Sequence, residues 1–152
     1  MESIICDLCR YLLDNINEEI TMDQVEEVFH YNRYYLIRTF KLYTGYTMKE
    51  FINTVKVLQT INPLLFTNDT ILKIALNNGF NSLEYYSEKF QDVIGISPLY
   101  FRKEYQSLEN KGTLEEIKAK RDYLEYLNAC QNQLLNMPNQ LVNNVEIQRV
   151  LR

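Results

Sequence analysis

Two stretches of the chain, each patterned as a short helix, a tight turn and a longer helix, decide its fold. The first reads TMDQVEEVFHYNRYYLIRTFKLYTG (residues 21–45), and the second reads ILKIALNNGFNSLEYYSEKF (residues 71–90). Thr21 and Gln24 have the spacing of a capping box, which marks the start of a helix. Asn32 is a favourable N-cap for the longer helix that follows. The first stretch therefore predicts a helix-turn-helix unit.

Aromatic and glycine residues in and just after the first stretch recur fifty positions later in the chain. The residues of the repeat lie fifty positions apart: Tyr35, Phe40, Gly45 and Phe51 correspond to Tyr85, Phe90, Gly95 and Phe101. Two copies are too few for a solenoid, which needs at least about three. The offset therefore predicts two copies of one helix-turn-helix unit. In the second copy, Asn81 and Glu84 have capping-box spacing, and Ser97-Pro98 favours the start of a last helix.

Helical periodicity also covers the segments around the two units. Apolar residues spaced by three and four predict a first helix over residues 3–15. A helix over about residues 48–60 would link the units, and Asn62-Pro63 would interrupt its continuation because proline cannot donate a backbone hydrogen bond. A short helix over residues 71–78 would end at Gly79. The chain is thus predicted to be all-α, with two helix-turn-helix subdomains joined by a linker helix.

A C-terminal helical extension is expected over residues 106–152, after a domain that spans residues 1–105. An apolar seam with steps of four and three predicts a long helix stopped by Pro138, and its members are Tyr123, Leu127, Cys130, Leu134 and Met137. A short apolar helix is expected over residues 141–151. The seam would form a homodimer through residues 113–137 or would brace the domain, and the sequence leaves both open.

The bulk properties fit a globular chain and conflict in one respect with DNA binding. The chain has 152 residues, of which 46% are hydrophobic, and no run approaches the roughly 20 apolar residues that span a membrane. The first residues are acidic rather than basic, so we expect no secretory signal and a cytoplasmic protein. The net charge of −4 is unfavourable for a protein that must neutralise phosphates.

Metal, redox and catalytic sites are not expected. Cys6 and Cys9 form a C-x-x-C pair, but a zinc site needs about four ligands, and His30 is the only histidine. Packing of the two cysteines as small apolar side chains is the favoured interpretation. Phosphate-binding, zinc-protease and nucleophile-elbow motifs are missing from the sequence. We therefore expect no enzyme and no cofactor.

Several of these motifs resemble the DNA-binding domain of the AraC/XylS family of bacterial transcription regulators. The most specific are Ile74-Ala75 followed by Gly79-Phe80, and Gly95 followed by Ser97-Pro98 and Arg102. The resemblance covers residues 3–105. It implies two helix-turn-helix units that read successive major-groove segments on one face of double-stranded DNA.

The resemblance also implies which residues face DNA. The positions are Tyr34, Ile37 and Arg38 in the first recognition helix and Leu83, Glu84, Ser87 and Glu88 in the second. Two departures from the family pattern stand out. Glu26 replaces a small residue that is usual in the packing helix of the first unit, and Glu88 replaces a basic residue.

Charge distinguishes the two recognition segments. Residues 32–45 carry Arg33, Arg38 and Lys41 and no acid, for a sum of +3, whereas residues 82–94 sum to −2. We therefore expect Arg33 and Lys41, as well as Arg38, to contact DNA. Arginine can bind guanine with two hydrogen bonds, and an apolar side chain such as Ile37 can contact a thymine methyl.

Two functions follow from this contrast. The first is a sequence-specific DNA-binding transcription regulator whose first unit is the main reader. The alternative is a degenerate helix-turn-helix protein that binds another regulator or RNA polymerase.

Overall fold

The computed structural model describes residues 2–108 and 112–142, with side chains from Ile4 onward. Helices account for the regular structure of these residues, and no strand occurs among them. In the described part of the chain the labelled helices are α1 Glu2–Asp14, α2 Met22–Phe29, α3 Arg33–Thr44, α4 Met48–Gln59, α5 Ile61–Phe66, α6 Ile71–Asn77, α7 Leu83–Ile94, α8 Pro98–Tyr105 and α9 Leu114–Leu135. Residues 137–142 are also helical. The predicted all-α fold is confirmed.

Tertiary contacts divide the chain into two compact units. The first comprises Met1–Asn53 together with Gln133–Arg152, and the second comprises Thr54–Asn132. The first unit contains α2 and α3, and the second contains α6 and α7. Each unit therefore carries one helix-turn-helix, and the boundaries between units fall within α4 and within α9.

The core of the first unit forms between α1 and α3. Leu8 and Cys9 of α1 and Leu36 and Phe40 of α3 have no exposed surface. The ring of Phe40 meets that of Phe51 edge to face, with centroids 5.6 Å apart. Burial of each large apolar side chain contributes about 1.5–3 kcal/mol to stability.

The two N-terminal cysteines pack as apolar residues, as predicted. Cys6 and Cys9 are reduced and buried on α1. Burial is the main reason that the pKa of the Cys9 thiol rises to about 12, with the neighbouring Cys6 adding to the effect. Their side chains therefore contribute to the core as neutral thiols.

A buried tyrosine links α4 and α7 in the second unit. Tyr86 and Phe90 are fully buried, with ring centroids 5.7 Å apart. The Tyr86 hydroxyl donates to Thr60 Oγ1 at 2.8 Å, and Thr60 Oγ1 donates to the carbonyl oxygen of Val57 at 2.6 Å. Burial raises the pKa of Tyr86 to about 12. The polar atoms of this core site are thus satisfied within the unit.

Two basic side chains join segments of the second unit that are distant in the sequence. Lys56 Nζ donates to the carbonyl oxygen of Gly79 at 3.0 Å and lies 5.7 Å from the centroid of the Phe80 ring. Arg102 of α8 donates to backbone carbonyl oxygens at the end of α5 and in the loop after it: Leu64 at 3.0 Å, Asp69 at 2.6 Å, Thr67 at 3.3 Å and Pro63 at 3.4 Å. The arginine of the family motif is therefore structural in this chain.

Pro63 lies inside a helix that the sequence patterns did not predict. The linker helix α4 ends at Gln59, close to its predicted end, and α5 begins two residues later at Ile61. Pro63 lies in the first turn of α5, where its missing N–H removes no helical hydrogen bond. The proline therefore interrupts one helix and starts the next.

The N-terminus of α7 differs from the prediction. Ser82, and not Asn81, is the N-cap, because its Oγ accepts a hydrogen bond from the backbone N–H of Tyr85 at 3.1 Å. The predicted capping box from Asn81 to Glu84 is therefore wrong by one residue. Either residue type can serve as a cap, so composition did not distinguish them.

The long helix of the C-terminal extension exists but ends earlier than predicted. Helix α9 ends at Leu135, and Pro138 lies within the helical residues 137–142, so Pro138 does not itself stop α9. Of the short helix predicted over residues 141–151, the part from residue 143 onward lies outside the described residues.

Three of the five residues of the predicted apolar seam are buried within the chain, and Tyr123 and Cys130 are half-buried. Leu127 and Leu134 are 5% and 4% exposed, and Met137 is also buried. In the second unit, Tyr123 Oη donates to the carbonyl oxygen of Ile94 at 3.1 Å, and Lys120 pairs with Glu104 at 2.9 Å. These contacts hold the N-terminal part of α9 against α7 and α8.

Candidate nucleic-acid interface

A three-residue turn sets the geometry of the first helix-turn-helix. His30 ends α2 in the left-handed conformation, with φ of 59°, and its N–H donates to the carbonyl oxygen of Glu26 at 2.8 Å. Asn32 is the N-cap of α3, as predicted, and its side chain accepts from the N–H of Tyr34 at 2.9 Å. The start of α3 is thus fixed by hydrogen bonds on both sides of the turn.

One face of α3 combines exposed aromatic, aliphatic and basic side chains. Tyr34 is 72% exposed and Ile37 is 38% exposed, and Arg38 and Lys41 are also exposed. Spacings of three and four residues align these positions along one side of a helix. The structure therefore brings four of the five predicted residues of this segment to one surface, and Ile37 lies outside the core.

The charges of Arg38 and Lys41 are not neutralised by neighbours. Within residues 2–108 and 112–142, neither side chain has a carboxylate at ion-pair distance. Both are exposed, so an approaching anion can reach them without displacing a protein partner. The surface of α3 therefore offers two positive charges.

Arg33 is placed differently from the other two basic residues. Its Nε donates to Glu26 Oε1 at 2.7 Å, and its guanidinium also pairs with Asp23. The hydrogen bonds that Arg33 donates to Glu26, and then those to Asp23, raise the pKa of the arginine. Three basic residues give this segment its charge of +3. Among the described residues, Arg33 has carboxylate partners, whereas Arg38 and Lys41 have none. Glu26 is unusual for the family, but its pairing with Arg33, seven residues on, has no signal in the sequence pattern.

The predicted residues of the second recognition helix present an acidic surface. Leu83 is 37% exposed, Glu84 and Glu88 are exposed, and Ser87 is half-buried. Lys89, the single basic residue of α7, lies 3.7 Å from carboxylate oxygens of both Glu88 and Asp92. The positive charge of this helix is therefore shared between two acids.

Other kinds of site find no support in the described part of the chain. Among those residues, no group of three or more histidine, cysteine or acidic residues could hold a metal ion. None of the helices described is long and apolar enough to cross a membrane.

Comparisons with known proteins agree with this geometry. A family profile described as a helix-turn-helix domain matches residues 26–104. The TetD protein of transposon Tn10 from Escherichia coli is 28% identical over 101 residues, which cover 66% of this chain and 73% of TetD. The transcriptional activator AarP of Providencia stuartii is 26% identical over 100 residues, which cover 66% of this chain and 74% of AarP.

A solved structure has the same fold. The DNA-binding domain of the transcriptional factor AdpA, in complex with a target DNA, superposes with a TM-score of 0.64 at 21% identity, over 71% of this chain and 97% of that domain. The chain belongs to the AraC-type helix-turn-helix family, which the sequence motifs had indicated. It is a DNA-binding transcription regulator by class.

Proposed function

We propose that the chain regulates transcription by binding a specific sequence of double-stranded DNA, with α3 as the main reader. One observation carries this proposal. Two basic side chains without carboxylate partners, Arg38 and Lys41, share an exposed helix face with Tyr34 and Ile37. In a helix-turn-helix, the second helix enters the major groove and its N-terminal residues contact the base edges.

Each residue of this face has a chemically suitable target. Arg38 can donate two hydrogen bonds to guanine, and Ile37 can contact the methyl group of thymine. Tyr34 lies in the first turn of α3, where its hydroxyl can donate to a base edge or a phosphate. Lys41 lies one turn beyond Ile37 and is suited to a phosphate.

The second unit contributes less to DNA affinity in this proposal. Glu84 and Glu88 of α7 repel phosphates, and Leu83 and Ser87 carry no charge. A glutamate can accept a hydrogen bond from cytosine, but the paired Lys89 leaves no free cation on this helix to offset the repulsion. We therefore assign the first unit the reading role and expect α7 to lie away from the phosphates.

The C-terminal extension braces the protein rather than forming a dimer. Burial of Leu127 and Leu134 within the chain supports this part of the proposal, because a dimer seam would be exposed in a single copy. The proposed regulator acts in the cytoplasm and catalyses no reaction of its own. RNA polymerase is a further partner if the regulator activates transcription.

Selection of duplexes from a random pool, at low and at moderate salt, tests the function. Enrichment of one motif is expected. On that motif, Arg38→Ala should weaken binding by about 1–3 kcal/mol and relax preference at one base position. The matched control is Lys118→Ala, which removes an exposed charge on α9 and should leave affinity unchanged. Failure of any motif to enrich would instead support the alternative, a protein that binds another regulator or RNA polymerase.

A further inference from the structure

The side chain of Glu26 joins the two helices of the first helix-turn-helix through both of its oxygens. Oε2 accepts from the backbone N–H of Arg33 at 3.0 Å, and Oε1 accepts from Arg33 Nε at 2.7 Å. The ion pair from Arg33 Nη2 to Oε1 measures 2.5 Å, and both side chains are about one third exposed. One carboxylate of α2 therefore binds both the backbone and the side chain of the first residue of α3.

These bonds use the donors at the start of the recognition helix. The first N–H groups of a helix have no partner within it, and they commonly bind phosphate. In α3 the N–H of Arg33 is bound by Glu26, and the N–H of Tyr34 is bound by the side chain of Asn32. A carboxylate thus lies at the end of α3 where a DNA phosphate would otherwise be favoured.

The internal repeat provides a reference for this arrangement. Fifty residues after Glu26 and Arg33, the second unit has Leu76 and Leu83, which are 51% and 37% exposed. The same two positions are therefore an ion pair in one unit and two leucines in the other. A pair of charges is not required by the fold of a helix-turn-helix, so its presence in the first unit calls for another explanation.

We infer that Glu26 is a positioning residue for the recognition helix and that Arg33 is held by Glu26 and Asp23 instead of contacting DNA. The inference rests on the proposed function. The ion pair holds the first residue of α3, and the next residues on that helix, Tyr34 and Ile37, are the ones proposed to reach the bases. Glu26 thus affects DNA binding indirectly, because it fixes the position of the first residue of α3.

Salt dependence of DNA binding tests the role of Arg33. Removing a residue that contacts one phosphate reduces the magnitude of the slope of log K against log salt by about one. We expect Arg33→Leu to leave this slope unchanged and Lys41→Ala to reduce it by about one. A loss of about one in the slope for Arg33→Leu would mean that Arg33 contacts a phosphate, and it would overturn the inference.

The sign of the effect at Glu26 provides a second test. Glu26→Leu makes the net charge more positive, so electrostatics alone would strengthen binding to DNA. Loss of positioning instead predicts that binding to the selected motif weakens by about tenfold, the equivalent of a lost helix cap. Stronger binding of Glu26→Leu to the selected motif would contradict the positioning role.

A double variant separates positioning from damage to the fold. Glu26→Leu with Arg33→Leu installs the leucine pair of the second unit and leaves the net charge as it is. We expect its affinity for the motif to return to within about threefold of the unmodified chain, well under the tenfold that about 1.4 kcal/mol represents. An affinity no better than that of Glu26→Leu alone would show that the two residues do not act as a pair.

A measurement without DNA keeps this inference distinct from the proposed function. In the free chain, NMR should show slower solvent exchange for the Nε–H of Arg33 than for that of Arg38, and Glu26→Leu should remove the difference. Equal exchange rates in the unmodified chain would overturn the inference. Absence of any selected DNA motif, with slow exchange at Arg33 intact, would count against the proposed function and leave the pairing established.

Discussion

Replacing Arg102 by methionine should destabilise the second unit more than any change at an exposed basic residue. The guanidinium donates to four carbonyl oxygens within residues 63–69. Methionine keeps an unbranched apolar stem but supplies no donor. Arg102→Met therefore leaves the carbonyl groups of Leu64 and Asp69 to water, whereas the Pro63 carbonyl keeps its donors from Thr67 and the Thr67 carbonyl keeps the Gln106 amide.

The distances set the expected size of this effect. The bonds to Leu64 and Asp69 are short, at 3.0 and 2.6 Å, whereas those to Thr67 and Pro63 are 3.3 and 3.4 Å. A hydrogen bond from a charged group contributes about 1.5–3 kcal/mol. Two effective bonds, reduced because water can reach part of the site, give a loss of about 3 kcal/mol. At this chain length the loss corresponds to a fall of about 6–12 °C in the melting temperature.

Urea unfolding followed by circular dichroism measures this change. The midpoint should fall while the dependence of the unfolding free energy on urea stays the same, since the buried area is nearly unchanged. Lys103→Met is the matched control, because Lys103 is the exposed neighbour on α8, and it should change stability by less than about 0.5 kcal/mol. An Arg102→Met protein as stable as this control would refute the bracing role.

Three further predictions have defined outcomes. Glu88→Arg should strengthen binding to every DNA sequence and steepen the salt dependence by about one phosphate equivalent; a loss confined to the selected motif would mean that Glu88 reads cytosine. For Cys9, the unfolded thiol releases its proton near pH 9.0 and the folded one near 12, so the unfolding free energy should fall as pH rises above 9, by at most about 1.4 kcal/mol per unit. Urea titrations should show a smaller fall for Cys9→Ala. Sedimentation equilibrium should give the monomer mass of 18.2 kDa, and twice that mass would support the seam as a dimer interface.

Local signals in the sequence were enough to predict most helices of the fold. The capping box at Thr21 and the N-caps Asn32 and Ser97 are present with the expected hydrogen bonds. The fifty-residue repeat correctly predicted two helix-turn-helix units. The caps depend on neighbours within four residues and the repeat on a fixed offset along the chain, and both kinds of pattern are visible in a single sequence.

Features that depend on distant contacts were not predictable in the same way. Helix α5 has only six residues and contains a proline, so periodicity could not distinguish it from a loop. The partner of Arg33 lies across a turn, and the carbonyl groups bound by Arg102 lie more than thirty residues earlier in the chain. The division between residues 1–105 and 106–152 stays a prediction, as do the residues proposed to contact DNA.

Basic side chains that stabilise this fold by binding other protein groups are not free to bind DNA phosphates. Lys56, Lys89, Arg102 and Lys120 each bind a group of the second unit, and Arg33 binds acids of the first. A regulator in a cell spends much of its time on the many irrelevant sites of the chromosome, and phosphate contacts determine how long it stays there. If DNA contacts are as few as the proposed function implies, this protein should leave irrelevant sites quickly and scan more of them in a given time. Its residence at the correct site would then depend on a small number of base contacts, and a single mutated base pair in an operator should have a large effect on occupancy.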